Sequence, residues 1–376
     1  MKGKIVIIGA GAIGRGFLPW VIDLDIYELI FVDVNHSIVN LLKENKGYST
    51  YCVKEDHLQE LKVNSIEAYH SSEFDFSKYS DDVEAVFVNV GPRDCSMAVS
   101  GLSGANCPII LCENDPSTVN IVKNALNYDK VYFAIPDVIT SNTAPSDLLD
   151  KDPLSIVTED GVLFVDERVG CIKGRINFCT EDELLNKQWI AKLYLHNTPH
   201  CIAAYLGALI GVNYLHEAMN IPDIKKIVVG VMDEMLTALK LKWDIPHSFL
   251  DFYANKEIKR FSCRFLFDPI SRVAREPLRK LELEGRLIGA AQMCISLGAI
   301  PNNILLGIVS AILFNNKNDP DNHLVFIRKV LPPQILMTYI LGLREGEALE
   351  KVMSERFSKI ISQLEILSQG NRIGGV

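Results

Sequence analysis

The sequence predicts two domains: an α/β amino-terminal domain built on a parallel sheet, then a mostly α-helical carboxy-terminal domain. Three observations lead there. The chain has 376 residues, more than one ordinary core accommodates. Up to about residue 180, apolar runs of strand length alternate with helix-like segments. Beyond that point only helical patterning remains, so the division is expected at 1–187 and 188–376.

Composition narrows the class. Hydrophobic residues make up 48% and charged residues 23%, as in a globular protein. A net charge of −9 argues against a broad nucleic-acid surface, although a local basic pocket could still hold a small anion. The nine cysteines, Cys52, Cys95, Cys107, Cys112, Cys171, Cys179, Cys201, Cys263 and Cys294, are odd in number, scattered and without a CxxC pair. They read as reduced thiols of a cytoplasmic protein. MKGKIVIIGAGAIGRG runs from apolar residues straight into glycines, which is not the pattern of a signal peptide. The longest apolar runs, CIAAYLGALIGV (201–212) and ILLGIVSAILF (304–314), are too short to span a bilayer and read as buried helices. No membrane partner is expected.

KIVIIGA (4–10) reads as a central parallel strand. Gly9, Gly11 and Gly14 follow as GxGxxG and open a helix expected from Ile13 to Leu24. LIFVDV (29–34) is a second strand, ending at Asp33, 19 residues after Gly14. Strand, glycine turn, helix, strand and acid make up the Rossmann-type dinucleotide arrangement. The glycines let the backbone approach a pyrophosphate, the helix start offers N–H donors, and the acid accepts ribose hydroxyls. A carboxylate there repels a 2′-phosphate, which favours NAD over NADP. FAD uses the same turn, and a glycine turn without a ligand is the plain alternative.

The alternation continues through NHSIVNLLKEN (35–45, helix), EAVFVNVG (84–91, strand), PIILCEN (108–114, strand), STVNIVKNAL (117–126, helix) and VYFAIPD (131–137, strand). Strand ends then bring Asn89, Gly91, Pro92, Asn114 and Asp137 towards one crevice. LSIVTEDGVLFVDE (154–167) predicts a hairpin turning at Glu-Asp-Gly.

In the second half, Thr180 and Glu183 fit a capping box for a helix that reaches Lys192 and Leu193. His196-Asn197-Thr198-Pro199 predicts a break, with Thr198 capping a new helix through CIAAYLGALIG. Lys192, Asn197 and His200 would then meet at a corner. On spacing alone, a surface lysine, a capping asparagine and a satisfied core histidine are the favoured reading. ISRVAREPLRKLELEGR (270–286) carries Arg272, Arg275 and Arg279 at i, i+3 and i+7, on one side of a helix or around a bend at Pro277. Such arginines, with Lys280, suit a phosphate. A solvated face paired with Glu276, Glu282 and Glu284 suits them too. The eight histidines show no HExxH and the cysteines no close pair, so nothing points to zinc. SQGNRIGGV at the end reads as a loose tail.

IGAGAIGRGF, FVDVN, VGP, LCEN, KLYLHNTPHCIAAYLG, REPLRKL and GRLIGAA together resemble the polyol-specific long-chain dehydrogenases over nearly the whole chain. The resemblance implies NAD as cofactor, no metal, and a K-x4-N-x2-H catalytic signature. Lys192 resembles the general base, Asn197 and Asn114 the asparagines that bind the reacting oxygen, and His200 the histidine that positions substrate. Cofactor contacts are implied at Gly9, Gly11, Ile13, Gly14, Asp33, Asn35, Val90, Gly91 and Pro92. Substrate contacts are implied at Asp137, Arg272, Arg275, Arg279 and Lys280.

The chemistry is coherent by itself. Hydride leaves a carbinol carbon as its hydroxyl loses a proton, an amine kept neutral by its surroundings can take that proton, and amide N–H groups stabilise the alkoxide. The resemblance implies interconversion of a polyol phosphate and a ketose phosphate, mannitol 1-phosphate and fructose 6-phosphate, by a monomer or small homo-oligomer. Val138 stands where arginine is expected and Pro199 where glycine is common, so another polyol or a sugar-acid substrate is the alternative. A third reading is an NAD-binding sensor without catalysis.

Overall fold

The computed structural model describes residues 2–370 except 56, 80 and 171, and omits the side chains of 333 and 334. Cys171 and the last six residues of the expected tail lie outside the described residues. The chain divides into two compact units, Met1–Trp189 with Phe265–Phe267, and Ile190–Arg264 with Asp268–Val376.

The first unit holds strands β1 (Gly3–Ile8), β2 (Tyr27–Asp33), β3 (Gly47–Lys54), β4 (His57–Asn64), β5 (Glu67–His70), β6 (Val83–Val88), β7 (Ile109–Leu111), β8 (Val131–Asp137), β9 (Ile156–Glu159), β10 (Val162–Asp166) and β11 (Ile176–Cys179). Eight of them form one sheet in the order β11-β10-β8-β7-β6-β1-β2-β5. Within it only the β8–β10 pair is antiparallel. The α/β class expected from the sequence is therefore present. Ile5 and Ile7 of β1 face one apolar cluster, and Val6 and Ile8 face the other. Both faces of the strand are covered, which is why the run is continuously apolar rather than alternating. The chain goes from β1 to β2 on one side and to β6 on the other. The carboxyl ends of β1 and β6 thus flank the switch point where such sheets bind ligands.

Two expectations need correction here. The helix after the glycine turn is shorter than Ile13–Leu24. It runs as a wide π-type turn over Ala12–Phe17 and then as Leu18–Val21, and Ile22 is extended. Pro19 has no N–H to donate to the Arg15 carbonyl four residues back. The Tyr48 hydroxyl of β3 donates to that carbonyl instead, at 2.8 Å. The second correction concerns the expected hairpin at 154–167. β9 pairs with β3 in a separate three-stranded sheet, β4-β3-β9, while β10 joins the large sheet. Glu159 ties β9 to Ile139 through backbone and side chain. Asp160 is held by Lys54 at the end of β3 and by Arg175 just before β11, so it anchors the crossing between sheets.

In the second unit the main helices are Thr198–Ile210, Pro222–Lys242, His247–Phe261, Ile288–Ser296, Asn302–Leu313 and Ala348–Gly370. Thr198–Ile210 is the central one, packed against Pro222–Lys242 and Asn302–Leu313. The two longest apolar runs of the sequence lie in this core as buried helices. The helical class expected for this half is also present. Ala348–Gly370 buries Leu349, Met353, Phe357, Ile360, Leu364 and Leu367 at helical spacing, so Ser368 to Gly370 are helix rather than tail. No described helix is long and apolar enough to cross a membrane.

Candidate active site

In the first unit the glycine turn is held by side chains that serve the backbone. Gly9 has φ +96°, and a Cβ on Gly14 would lie 2.1 Å from the Gly9 carbonyl oxygen, so neither position accepts a side chain without strain. Gly11 and Gly91 face open space. Asp33 accepts the backbone N–H groups of Ala10 at 2.7 Å and Asn35 at 2.8 Å. Its lone pairs exceed those two bonds, which leaves acceptor capacity for ribose hydroxyls. Asn35 caps the helix His36–Asn45 by accepting from Ser37 and Ile38 N–H groups. Ile13 lies in the wide turn, packed against the core. A cradle bare of side chains, bordered by an acid, fits a dinucleotide.

The far side of the turn is built from β6 and β7. Asn89 Nδ2 donates to the carbonyls of Ile8 at 2.7 Å and Gly9 at 2.5 Å, while Asn89 Oδ1 is buried without a partner. Glu113, 4% exposed, accepts the N–H groups of Val90 at 2.8 Å and Gly91 at 3.0 Å and so fixes the Val90-Gly91-Pro92 loop. The LCEN stretch had drawn attention to Asn114, which is exposed; its neighbour Glu113 carries the loop. Asp137 is buried at the end of β8. Val138 is core: a Cβ on Gly161 would come within 2.6 Å of it.

In the second unit the expected break at 196–199 is absent. The backbone passes from a π-type turn over Lys192–Asn197 directly into Thr198–Ile210. Thr198 is therefore not a cap. Its hydroxyl donates to the carbonyls of Leu193 at 3.1 Å and Arg286 at 2.6 Å. The widened turn accommodates Pro199, which lacks the donor an α-helix would need there. Widening also changes which side chains share a face. Bonding of i to i+5 turns residues 192 and 197 closer in direction than an ordinary helix would. Both are 5% exposed, and Asn197 Nδ2 is buried with no hydrogen-bond partner. Wide turns of this kind recur at functional sites.

His200 follows on the same helix. Its Nε2 lies 2.8 Å from Asp268 Oδ2, and Arg272 holds the other oxygen of that carboxylate. Burial would raise the Asp268 carboxyl, but Arg272 and the His200 hydrogen bond outweigh it and hold the group at about 2. Burial lowers His200 despite Asp268. A neutral ring with its proton on Nε2, facing the carboxylate, leaves Nδ1 as an acceptor. Asp268 escaped the sequence reading because it lies 68 residues from His200.

The arginine segment bends rather than continuing as one helix. Ile270–Val273 and Pro277–Lys280 are separated at Glu276, whose φ is +56°. Glu276 N–H donates to Asp319 at 3.1 Å and Leu278 N–H to Asp321 at 2.9 Å, so two buried acids hold the bend. Glu276 takes Arg279 Nε at 3.0 Å and Arg275 at 3.3 Å. Arg272 belongs to Asp268. Lys280 is 4% exposed and donates to the Val273 and Arg275 carbonyls at 2.5 Å, and burial pushes its amine down to about 7. The four basic residues thus all have internal partners, and the bend carries no loose cluster of cations.

The mannitol dehydrogenase Rossmann domain matches residues 3–178, and the mannitol dehydrogenase C-terminal domain matches residues 186–357. A mannitol-1-phosphate 5-dehydrogenase of Caldanaerobacter subterraneus subsp. tengcongensis is 31% identical, covering 96% of this chain and 99% of the relative. One from Thermoanaerobacter pseudethanolicus is 32% identical over 84% of this chain and 87% of its own. In fold, the chain is similar to Pseudomonas fluorescens mannitol 2-dehydrogenase, solved with NAD and D-mannitol (TM-score 0.76, 17% identity, 99% of this chain and 93% of that one). The chain belongs to the mannitol dehydrogenase family and is an oxidoreductase acting on CH–OH donors.

Proposed function

We propose that the protein interconverts a polyol phosphate and a ketose phosphate with NAD, mannitol 1-phosphate and fructose 6-phosphate being the substrate pair. The observation that carries the reading is the turn Lys192–Asn197, in which the Lys192 side chain and the Asn197 amide are both buried and Asn197 Nδ2 has no hydrogen-bond partner. The substrate pair is supported by the relatives, several of which are mannitol-1-phosphate 5-dehydrogenases. Bound NAD supplies the hydride acceptor.

The chain's own residues supply the rest. Gly9, Gly11 and Gly14 admit the pyrophosphate, and Asp33 accepts the adenosine ribose hydroxyls and disfavours a 2′-phosphate. Lys192 takes the carbinol proton as hydride departs and returns it in the reverse direction. Asn197 Nδ2 donates to the oxygen as it becomes an alkoxide, an oxyanion-hole role. His200, fixed by Asp268, accepts a substrate hydroxyl at Nδ1. Lys192 takes the proton without help from a metal. Arg272, Arg275, Arg279 and Lys280 are assigned to the phosphate end. For the arginines, this means substrate competes with Glu276 and Asp268 for their guanidinium groups.

The test is purified protein with NADH and a panel of ketoses and ketose phosphates, each with and without a chelator. Oxidation of NADH by fructose 6-phosphate, unaffected by chelator, is expected. Turnover of free fructose but not fructose 6-phosphate would overturn the phosphate assignment, and loss of activity on chelation would overturn the metal-free mechanism. Tight NADH binding with no turnover of any sugar would favour a sensor.

A further inference from the structure

The reactive helix carries a second histidine–carboxylate pair that nothing in the mechanism above uses. His196 lies one turn after Lys192 and one turn before His200. Its Nδ1 is 2.5 Å from Glu257 Oε2 on the helix His247–Phe261. Glu257 has no exposed surface, and Arg260, one turn on, binds its other oxygen. Lys256 lies 3.5 Å from that same oxygen. The pattern repeats the His200–Asp268–Arg272 chain: an imidazole, a buried carboxylate, then a guanidinium.

The two imidazoles also touch. Their centroids are 4.8 Å apart, His200 stacks on Phe261 at 5.1 Å and 13°, and His196 meets the same ring at 5.6 Å. His196 is therefore one wall of the slot that holds His200, and Glu257 fixes that wall. A carboxylate accepts, so the proton on His196 Nδ1 points at Glu257 and the ring cannot flip without losing the bond. A wholly buried acid is costly unless fully paired. Arg260 alone would neutralise its charge; the added bond to His196 fixes the direction of a ring on the reactive helix.

We infer that Glu257, acting through His196, is a positioning residue for the reaction, holding His200 and the Lys192–Asn197 turn in register. This rests on the function proposed above.

The test uses His196→Asn and Glu257→Gln in the full chain, with NADH affinity, thermal unfolding, kcat and KM for fructose 6-phosphate measured together. Asparagine offers Glu257 an N–H near the Nδ1 position while removing the ring. His196→Asn is expected to unfold cooperatively like the wild type, to bind NADH unchanged, and to lose up to about 100-fold in kcat. Glu257→Gln is expected to show a smaller loss of the same kind. Wild-type kcat in His196→Asn would overturn the inference. So would a fall in activity that only tracks the fraction folded.

Lys192→Ala separates the two levels. If that variant stays active, the proposed function fails whatever His196→Asn does. If it is dead and His196→Asn is fully active, only the positioning role fails. Should neither variant fold, 15N-histidine NMR of the wild-type protein decides. His196 is expected to stay protonated at Nδ1 and its resonances to shift when mannitol 1-phosphate joins the NADH complex; unshifted resonances would overturn the inference.

Discussion

The glycine turn of the first unit and the helical segment 192–210 of the second are held in place in different ways. At the glycine turn, Asp33, Asn89 and Glu113 all direct their side chains at main-chain groups. On the segment 192–210, polar side chains are instead held by other side chains, as His200 is by Asp268 and Asp268 by Arg272, while Asn197 Nδ2 is left without a partner. The difference teaches how each region should fail. Adding atoms at Gly9 or Gly14 should damage the first, because there is no room for them there. Removing atoms damages the second, because the fold survives while the chemistry goes.

Substitutions can break or sharpen that contrast. Asn197→Ala removes the unpartnered donor and should cost roughly 100- to 1000-fold in kcat with little change in NADH affinity, read by steady-state kinetics and fluorescence titration. A loss confined to KM would remove the oxyanion role. Gly14→Ala should do the reverse. Its methyl would meet the Gly9 carbonyl, so NADH affinity should fall well before kcat at saturation, with about 1–3 kcal/mol lost in denaturant unfolding. Unchanged affinity would mean that the turn tolerates bulk and the cradle is elsewhere. Asp33→Ser should narrow the preference for NADH over NADPH by removing the charge that repels a 2′-phosphate, measured as the ratio of the two Kd values. An unchanged ratio would free Asp33 of that role.

The smallest expected effect is on stability against pH. The Asp268 carboxyl is held at about 2, below its ordinary value of 3.8, so its contribution is complete above that value and is lost as pH falls towards 2. That shift amounts to about 2 kcal/mol. His200 has the same sign: its lowered pKa means that protonation below the ordinary histidine range weakens the fold. Asp268→Asn should flatten the acid limb of the stability curve. An unaltered limb would show that Asp268 contributes nothing there.

The dinucleotide fold was legible because it is local: strand, glycines, helix, strand and acid lie within the first 33 residues, and each has its own signature. The buried helices were legible from apolar length. The β3–β4 hairpin went unread, since β4 (HLQELKVN) keeps a mostly exposed, charged surface and offers little apolar signal. β9 and β10 looked like a hairpin because the turn residues were right, but pairing was decided by distant partners, β3 for one and β8 for the other.

Thr198-Pro199 suggested a break by rules that hold for α-helices, and a π-type turn evades them. Around the proposed site, Lys192, Asn197 and His200 are named by resemblance, since their spacing alone fits a surface lysine, a capping asparagine and a core histidine. Glu113, Glu257 and Asp268 could not be picked out, because each makes its defining bond to a residue 22 or more positions away. Long-range carboxylates are where sequence reasoning stopped, and they hold both regions in shape.

Lys192 is proposed to move the proton and not to hold the cofactor. Single-turnover oxidation of pre-bound NADH by fructose 6-phosphate, compared between wild type and Lys192→Ala, tests it most directly. The account predicts hydride transfer slowed by at least about 100-fold in the variant, with NADH bound as tightly as before. Transfer at a near wild-type rate, or slow transfer that merely follows weakened NADH binding, would contradict it.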